Sequence, residues 1–155
     1  MDEAAGPAPG VELAVDEPLL ADEDDPDVAE LVIRGDDRMR FDREEFTVVP
    51  GQPVRLRVEH VGNLPVQVMG HNVVILAAGV DAFEFGAEVG VEGGGLHDDF
   101  VPQALRDQVI AFSEMLGGGE SATVEFRAPD APGEYLYICT FPGHFGQMRG
   151  TMHVE

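Results

Sequence analysis

The chain has 155 residues, enough for one domain whose core needs neither a metal nor a disulfide to form. Asp and Glu number 30 against nine basic residues, every one an arginine, for a formal net charge of −21 at pH 7. So negative a surface excludes binding to nucleic acid or anionic lipid and fits cationic partners, or a salt-adapted source in which self-repulsion is screened.

Met1 is followed by acids rather than by a basic and apolar signal segment, and no run approaches the length of a membrane span. Residues 1–27 hold ten acids, no base, and Pro7, Pro9, Pro18 and Pro26. This composition reads as a disordered tail or linker, with a short edge strand at Val11-Glu12-Leu13-Ala14-Val15. The folded domain is expected over residues 28–155. Ala29 to Ile33 reads as a strand, followed by a turn at Gly35-Asp36-Asp37. Arg40-Phe41-Asp42 and Glu45 to Val49 read as further strands, stopped by Pro50-Gly51. Val54 to Val61 alternates with period two, the mark of a strand with one wet face, and places His60 in phase with Val54, Leu56 and Val58. His60 reads as a boundary polar residue as readily as a functional one.

Gly62-Asn63-Leu64-Pro65 breaks the chain, and Met69 to Leu76 is expected as a mostly apolar strand containing His71. Periodicity then fails from Ala77 to Phe100, a long excursion with helical turns expected around Ala78–Phe85 and Phe100–Leu105. The run Gly93-Gly94-Gly95 is no phosphate loop, since no lysine or Ser/Thr follows in register. Val109 to Phe112, Ala122 to Phe126, Glu134 to Cys139 and Gly150 to Val154 complete the strands. Seven or eight short strands with Gly and Pro turns predict an all-β, Greek-key β-sandwich with a short helical excursion between strands.

The chemistry concentrates in Cys139-Thr140-Phe141-Pro142-Gly143-His144-Phe145-Gly146-Gln147-Met148. Cys139 is the only cysteine, which rules out an internal disulfide and leaves it as a core hydrophobe, a nucleophile or a ligand. A thiolate, an imidazole five residues on and a thioether four beyond are three of the four groups of a blue-copper centre. His71, in Met69-Gly70-His71-Asn72 on a separate segment, is placed to supply the fourth. Two histidines and a thiolate with a weak thioether suit both Cu(I) and Cu(II), so the set predicts one copper ion and electron transfer. No open coordination position or general base is evident, so catalysis is not expected. His97, beside Asp98 and Asp99, reads as an exposed loop residue rather than an accessory metal ligand. His153 and the remaining methionines read as core or surface residues.

The ligand loop Cys139 to His144 with Met148-Arg149-Gly150 resembles that of azurin, including its ligand spacing. Asn63-Leu64-Pro65 and Val68 to Asn72 resemble the segment carrying azurin's first histidine, and Gly35 to Phe41 its early strand region. The resemblance covers residues 29–155, includes auracyanin-like proteins, and implies the cupredoxin fold. It implies His71, Cys139 and His144 as equatorial ligands, Met148 as the axial one, and the Gly70 carbonyl as a distant fifth contact. It implies that Asn72 ties the two ligand-bearing loops together and that the Phe141 N–H donates toward the Cys139 sulfur. It further implies an apolar docking patch of Met69, Pro142 and Phe145 around His144, redox proteins as partners, and a place outside the cytoplasm, with a membrane tether possible through the tail. Phe145 itself reads either as a docking residue or as a lid on the site. Two features depart from azurin: the disulfide cannot form, and the surface is far more acidic. A copper storage or delivery module and an oxidase or reductase are the competing functions. The first prefers exposed, exchangeable thiols, and a binuclear copper centre needs two cysteines.

Overall fold

The computed structural model describes residues 27–155, so the short strand expected at 11–15 and nearly all of the acidic segment lie outside the described residues. Eight strands follow in order: β1 (Ala29–Gly35), β2 (Glu45–Val48), β3 (Pro53–His60), β4 (Val74–Leu76), β5 (Val109–Phe112), β6 (Ser121–Arg127), β7 (Gly133–Ile138) and β8 (Arg149–Val154). A three-stranded sheet has the order β1-β3-β6 and a five-stranded sheet the order β2-β8-β7-β4-β5. β1 runs parallel to β3 and β2 parallel to β8, whereas the other pairs are antiparallel. The chain passes repeatedly between the sheets, which makes the fold a Greek-key cupredoxin β-sandwich.

Side-chain alternation explains the layers. On β3, Val54, Leu56, Val58 and His60 are buried while Arg55, Arg57 and Glu59 face outward. Of the outward arginines, Arg55 pairs across strands with Glu30 and Glu125 while Arg57 pairs with Glu59 and donates to Ser121 Oγ, giving the three-stranded sheet a charged outer face. β4 is buried on both faces, which is why it reads as an uninterrupted apolar run. Val73 and Ile75 enter the core between the sheets, and Val74 and Leu76 join a second cluster beneath a helix. β7 divides likewise, with Tyr135, Tyr137 and the following Cys139 in the main core and Ile138 in the second cluster.

That helix, α2 (Ala82–Val91), starts at Asp81, whose side chain accepts from the Glu84 N–H. Ala82, Phe85, Gly86 and Val89 form its buried face. The helix therefore lies later than the turns expected at 78–85, because the cap at Asp81 sets its start. The turns expected at 100–105 also start later, as a 3-10 segment over Gln103–Gln108 that follows Pro102. Two expected strands differ more. Arg40 to Asp42 makes only an isolated bridge between Gly35 and Phe41. The lead-in to β4 is a single helical turn, α1 (Val66–Met69), after which His71 makes one bridge to Leu116 and the ladder begins at Val74. A four-residue helix is too short to show a helical period, so α1 was not anticipated, and the strand expected over Met69–Leu76 shrinks to its last three residues.

Candidate metal centre

Three loops at one end of the sandwich deliver the donors. Cys139 follows β7 directly, and its N–H donates to the Met148 carbonyl at 3.0 Å, so the ladder extends to the first residue of the loop. The loop then turns through Gly143 at φ +85°, a conformation that favours glycine, and His144 returns beside the thiol. The N–H of Met148 donates to the His144 carbonyl at 2.9 Å, closing the loop on itself. His71 approaches from the segment between α1 and β4.

The Cys139 Sγ, His71 and His144 ligand atoms all lie within 4.8 Å of one another, and all three residues are buried. Cys139 Sγ stands 3.8 Å from His144 Nδ1. A nitrogen about 2.0 Å and a sulfur about 2.3 Å from a shared ion at a trigonal angle lie about 3.7 Å apart, so this spacing fits a metal between them. His71 supplies the firmest test. Its Nε2 donates to the Asp36 carbonyl at 2.6 Å, which fixes the tautomer and leaves Nδ1 a lone pair. That Nδ1 is buried without a hydrogen-bond partner, an arrangement that costs stability unless a metal takes the lone pair.

Electrostatics agree with the geometry. Burial holds His144 down at about 4, with the neighbouring His71 the second cause, and burial likewise lowers His71. Both imidazoles are therefore neutral at pH 7. Burial pushes the Cys139 thiol up to about 12, and the backbone N–H groups of Asn72 and Phe141, which bond to the sulfur, offset this only in part. A soft cation is the natural counter-charge for a thiolate here, and its binding releases the thiol proton.

The other expected residues fall around this triad. Met148 is completely buried. A Cβ at Gly35 would lie 3.0 Å from the Met148 methyl and 2.8 Å from His71 Cδ2, so both side chains share the space that Gly35 leaves open. The Gly70 carbonyl lies 3.6 Å from Cys139 Sγ, and a Cβ at Gly70 would strike Phe141 and Met115. Asn72 Oδ1 accepts from the Thr140 N–H at 2.9 Å while its Nδ2 donates to Thr140 Oγ1 and to the Asp99 carbonyl. One buried amide thus joins the His71 segment, the cysteine loop and the 96–99 turn. Of the apolar residues near His144, Pro142 is exposed and Met69 and Phe145 are half-buried. Phe145 leans against Gly86 of α2 and packs edge-on to Phe83, with centroids 5.7 Å apart. His97 is exposed and pairs only with Asp98, and the triad is the one cluster of three such groups among the described residues.

Sequence reasoning left His60 undecided and missed two backbone contributions, one from Asp36 and one from Asn72, whose side-chain role it had named. His60 is buried and stacks on His71 with centroids 4.2 Å apart, its Nε2 2.7 Å from the Met69 carbonyl and its Nδ1 accepting from Gly62 N–H. Its phase with Val54, Leu56 and Val58 was the available signal. Asp36 acts through its carbonyl and Asn72 partly through its N–H, and backbone groups leave no mark on side-chain identity.

The family model described as copper binding proteins, plastocyanin/azurin family, matches residues 28–155. Azurin-2 of Alcaligenes xylosoxydans xylosoxydans is 35% identical over 126 residues, covering 79% of this chain and 95% of its own length. Azurin of Pseudomonas aeruginosa is 37% identical over 142 residues, 89% of each chain. Among solved structures, dithionite-reduced auracyanin from Roseiflexus castenholzii has a TM-score of 0.71 at 33% identity, over 82% of this chain and 97% of its own. Auracyanin A from Chloroflexus aurantiacus, a blue copper protein, reaches 0.72 at 30% identity over 83% and 99%. With a thiol and two neutral imidazoles converging in the same buried space, this chain belongs to the plastocyanin/azurin family of copper binding proteins.

Proposed function

We propose that this chain carries single electrons between redox partners on one type 1 copper ion held by His71, Cys139 and His144, with Met148 as the weak axial donor and the Gly70 carbonyl as a distant fifth contact. The observation that carries the reading is the orphaned, buried His71 Nδ1 facing Cys139 Sγ and His144. Copper, when bound, supplies a one-electron couple between Cu(I) and Cu(II). The chain's own residues keep the donors still. The Asp36 carbonyl and the stacked His60 fix the His71 ring, and Asn72 locks the cysteine loop to the His71 segment. Donors held in one arrangement need little movement when the charge changes, which favours fast transfer. N–H bonds from Asn72 and Phe141 to the sulfur stabilise the thiolate and adjust the potential. The protein is an electron carrier and not an enzyme. A buried, interlocked donor set also disfavours metal delivery, which calls for exchangeable ligands.

Partners dock, on this reading, at the end of the sandwich around His144, where Met69, Pro142 and Phe145 supply apolar surface. The family resemblance supports a place outside the cytoplasm, with the acidic segment 1–27 leading toward a tether. Among the described residues no helix is long and apolar enough to cross a membrane. The absence of lysine and the net charge of −21 support a salt-rich setting.

Adding Cu(II) to the purified protein and to Cys139→Ser tests the reading. An intense blue band with narrow copper hyperfine splitting is expected in the parent, reversibly bleached by ascorbate and absent from the variant. A pale spectrum of nitrogen and oxygen ligation in the parent would sink it.

A further inference from the structure

Helix α2 has an outer face that does not look like a solvent face. Phe83, Ala87 and Val91 recur every four residues along it and are exposed, Phe83 by 55% and Val91 by 75%. The inward face is already satisfied by Ala82, Phe85, Gly86 and Val89. The helix is thus apolar on two sides, and a surface helix in water normally is not. Beside the outer stripe runs a parallel row of exposed carboxylates, Glu84, Glu88 and Glu92, with no basic residue in the last turn of the helix. The stripe begins at the metal site. Phe83 packs edge-on against Phe145, the residue after His144, and the Arg149 guanidinium lies 5.4 Å from its ring centroid.

We infer that the outer face of α2 is a docking surface for a cationic redox protein, with Phe83, Ala87 and Val91 meeting an apolar centre and Glu84, Glu88 and Glu92 meeting its lysines or arginines. The inference rests on the electron-carrier reading and names the kind of partner. Charge selects the occupant. A second copy of this chain brings another −21 and no lysine, so two such faces repel, whereas a basic surface is attracted to the same row. The apolar stripe keeps the contact when salt screens the charges. Position makes the surface useful, because a partner seated there touches the aromatic pair that abuts the ligand loop.

The test uses the full chain loaded with Cu(I) and isotope-labelled, titrated at low ionic strength with zinc-substituted cytochrome c, a lysine-rich and redox-inert probe. Backbone amide shifts are expected on residues 82–92 and 145–149. Val91→Ser and the pair Glu84→Gln with Glu88→Gln should each raise the dissociation constant about tenfold. Asp130→Asn with Glu134→Gln, which removes the same charge near the start of β7, at the opposite end from Cys139, should leave it within about twofold. Shifts confined to residues 64–69 and 142–144, equal losses from both charge pairs, or no binding would overturn the inference. So would a dimer in sedimentation that Val91→Ser abolishes, since it gives the face to a second copy. The blue band and its bleaching by ascorbate are read separately in each variant. Their presence beside a silent α2 rejects the docking surface alone, and their absence from the parent rejects the carrier.

Discussion

Gly35 is paired with His60 across β1 and β3, and its missing side chain leaves the space that the His71 ring and the Met148 methyl occupy together. The ring cannot yield easily, since Asp36 holds its Nε2 and His60 is stacked on it. A methyl group at position 35 therefore displaces Met148 or forces His71 off the Asp36 carbonyl. Gly35→Ala should destabilise the metal-free protein by about 1–3 kcal/mol, the usual range for overpacking a filled site. In the copper-loaded protein it should also shift the blue band and the reduction potential, because it presses on two donors at once. Urea unfolding and voltammetry of the two proteins decide it; unchanged values in both would mean that the space is not tight. At this scale the sequence was most legible where donors are close in the chain. Cys139, His144 and Met148 announce themselves by spacing on one loop, and His71 by its Gly and Asn neighbours. Gly35 and the Asp36 carbonyl were not legible, because one contributes an absence and the other a backbone atom that any residue would offer.

The elements divide the work between two cores. The sandwich interior carries the donors and their supports, while Val74, Leu76, Ile138, Phe85, Val89 and their neighbours form a second cluster between the five-stranded sheet and α2. Period-two alternation made β3 readable down to the phase of His60. The doubly buried β4 gave no such pattern, so its start was expected at Met69 rather than Val74, and its lead-in, α1, was too short to show a helical period. The parallel pairing of β2 with β8 joins residues about a hundred positions apart, and nothing local encodes it. The second cluster holds none of the donors, and of the ligand loop only Phe145 packs against it. Phe85 is 2% exposed at its centre, and its truncation leaves a cavity beneath α2. Phe85→Ala should cost about 3–5 kcal/mol in urea unfolding. The folded variant should keep the blue band and its hyperfine splitting, since His60, Asp36 and Asn72 still hold the ligands. A lost blue band in a still-folded variant would mean that α2 positions the ligand loop through Phe145.

Across the whole molecule, two opposing charge effects compete. Arg34, Arg55 and Arg57 pair with Asp42, Glu30, Glu59 and Glu125 on the outer side of the three-stranded sheet. Salt weakens such pairs, but they lie at the surface and each contributes about 0–1 kcal/mol. Against them stands the mutual repulsion of a net −21, which every carboxylate shares and which compaction worsens. The charge range falls from about 10 Å at 0.1 M salt to about 3 Å at 1 M, so added salt removes most of the repulsion between carboxylates that are not in contact. Because the pairs are few and the excess is large, relief of repulsion should win. The urea midpoint should rise steadily as potassium chloride goes from low concentration to about 1 M, with urea rather than guanidinium used because the latter is itself a salt. A midpoint that falls would mean that the arginine pairs on the three-stranded sheet outweigh the repulsion, and that the acidic surface is tuned for its partners instead of for salt.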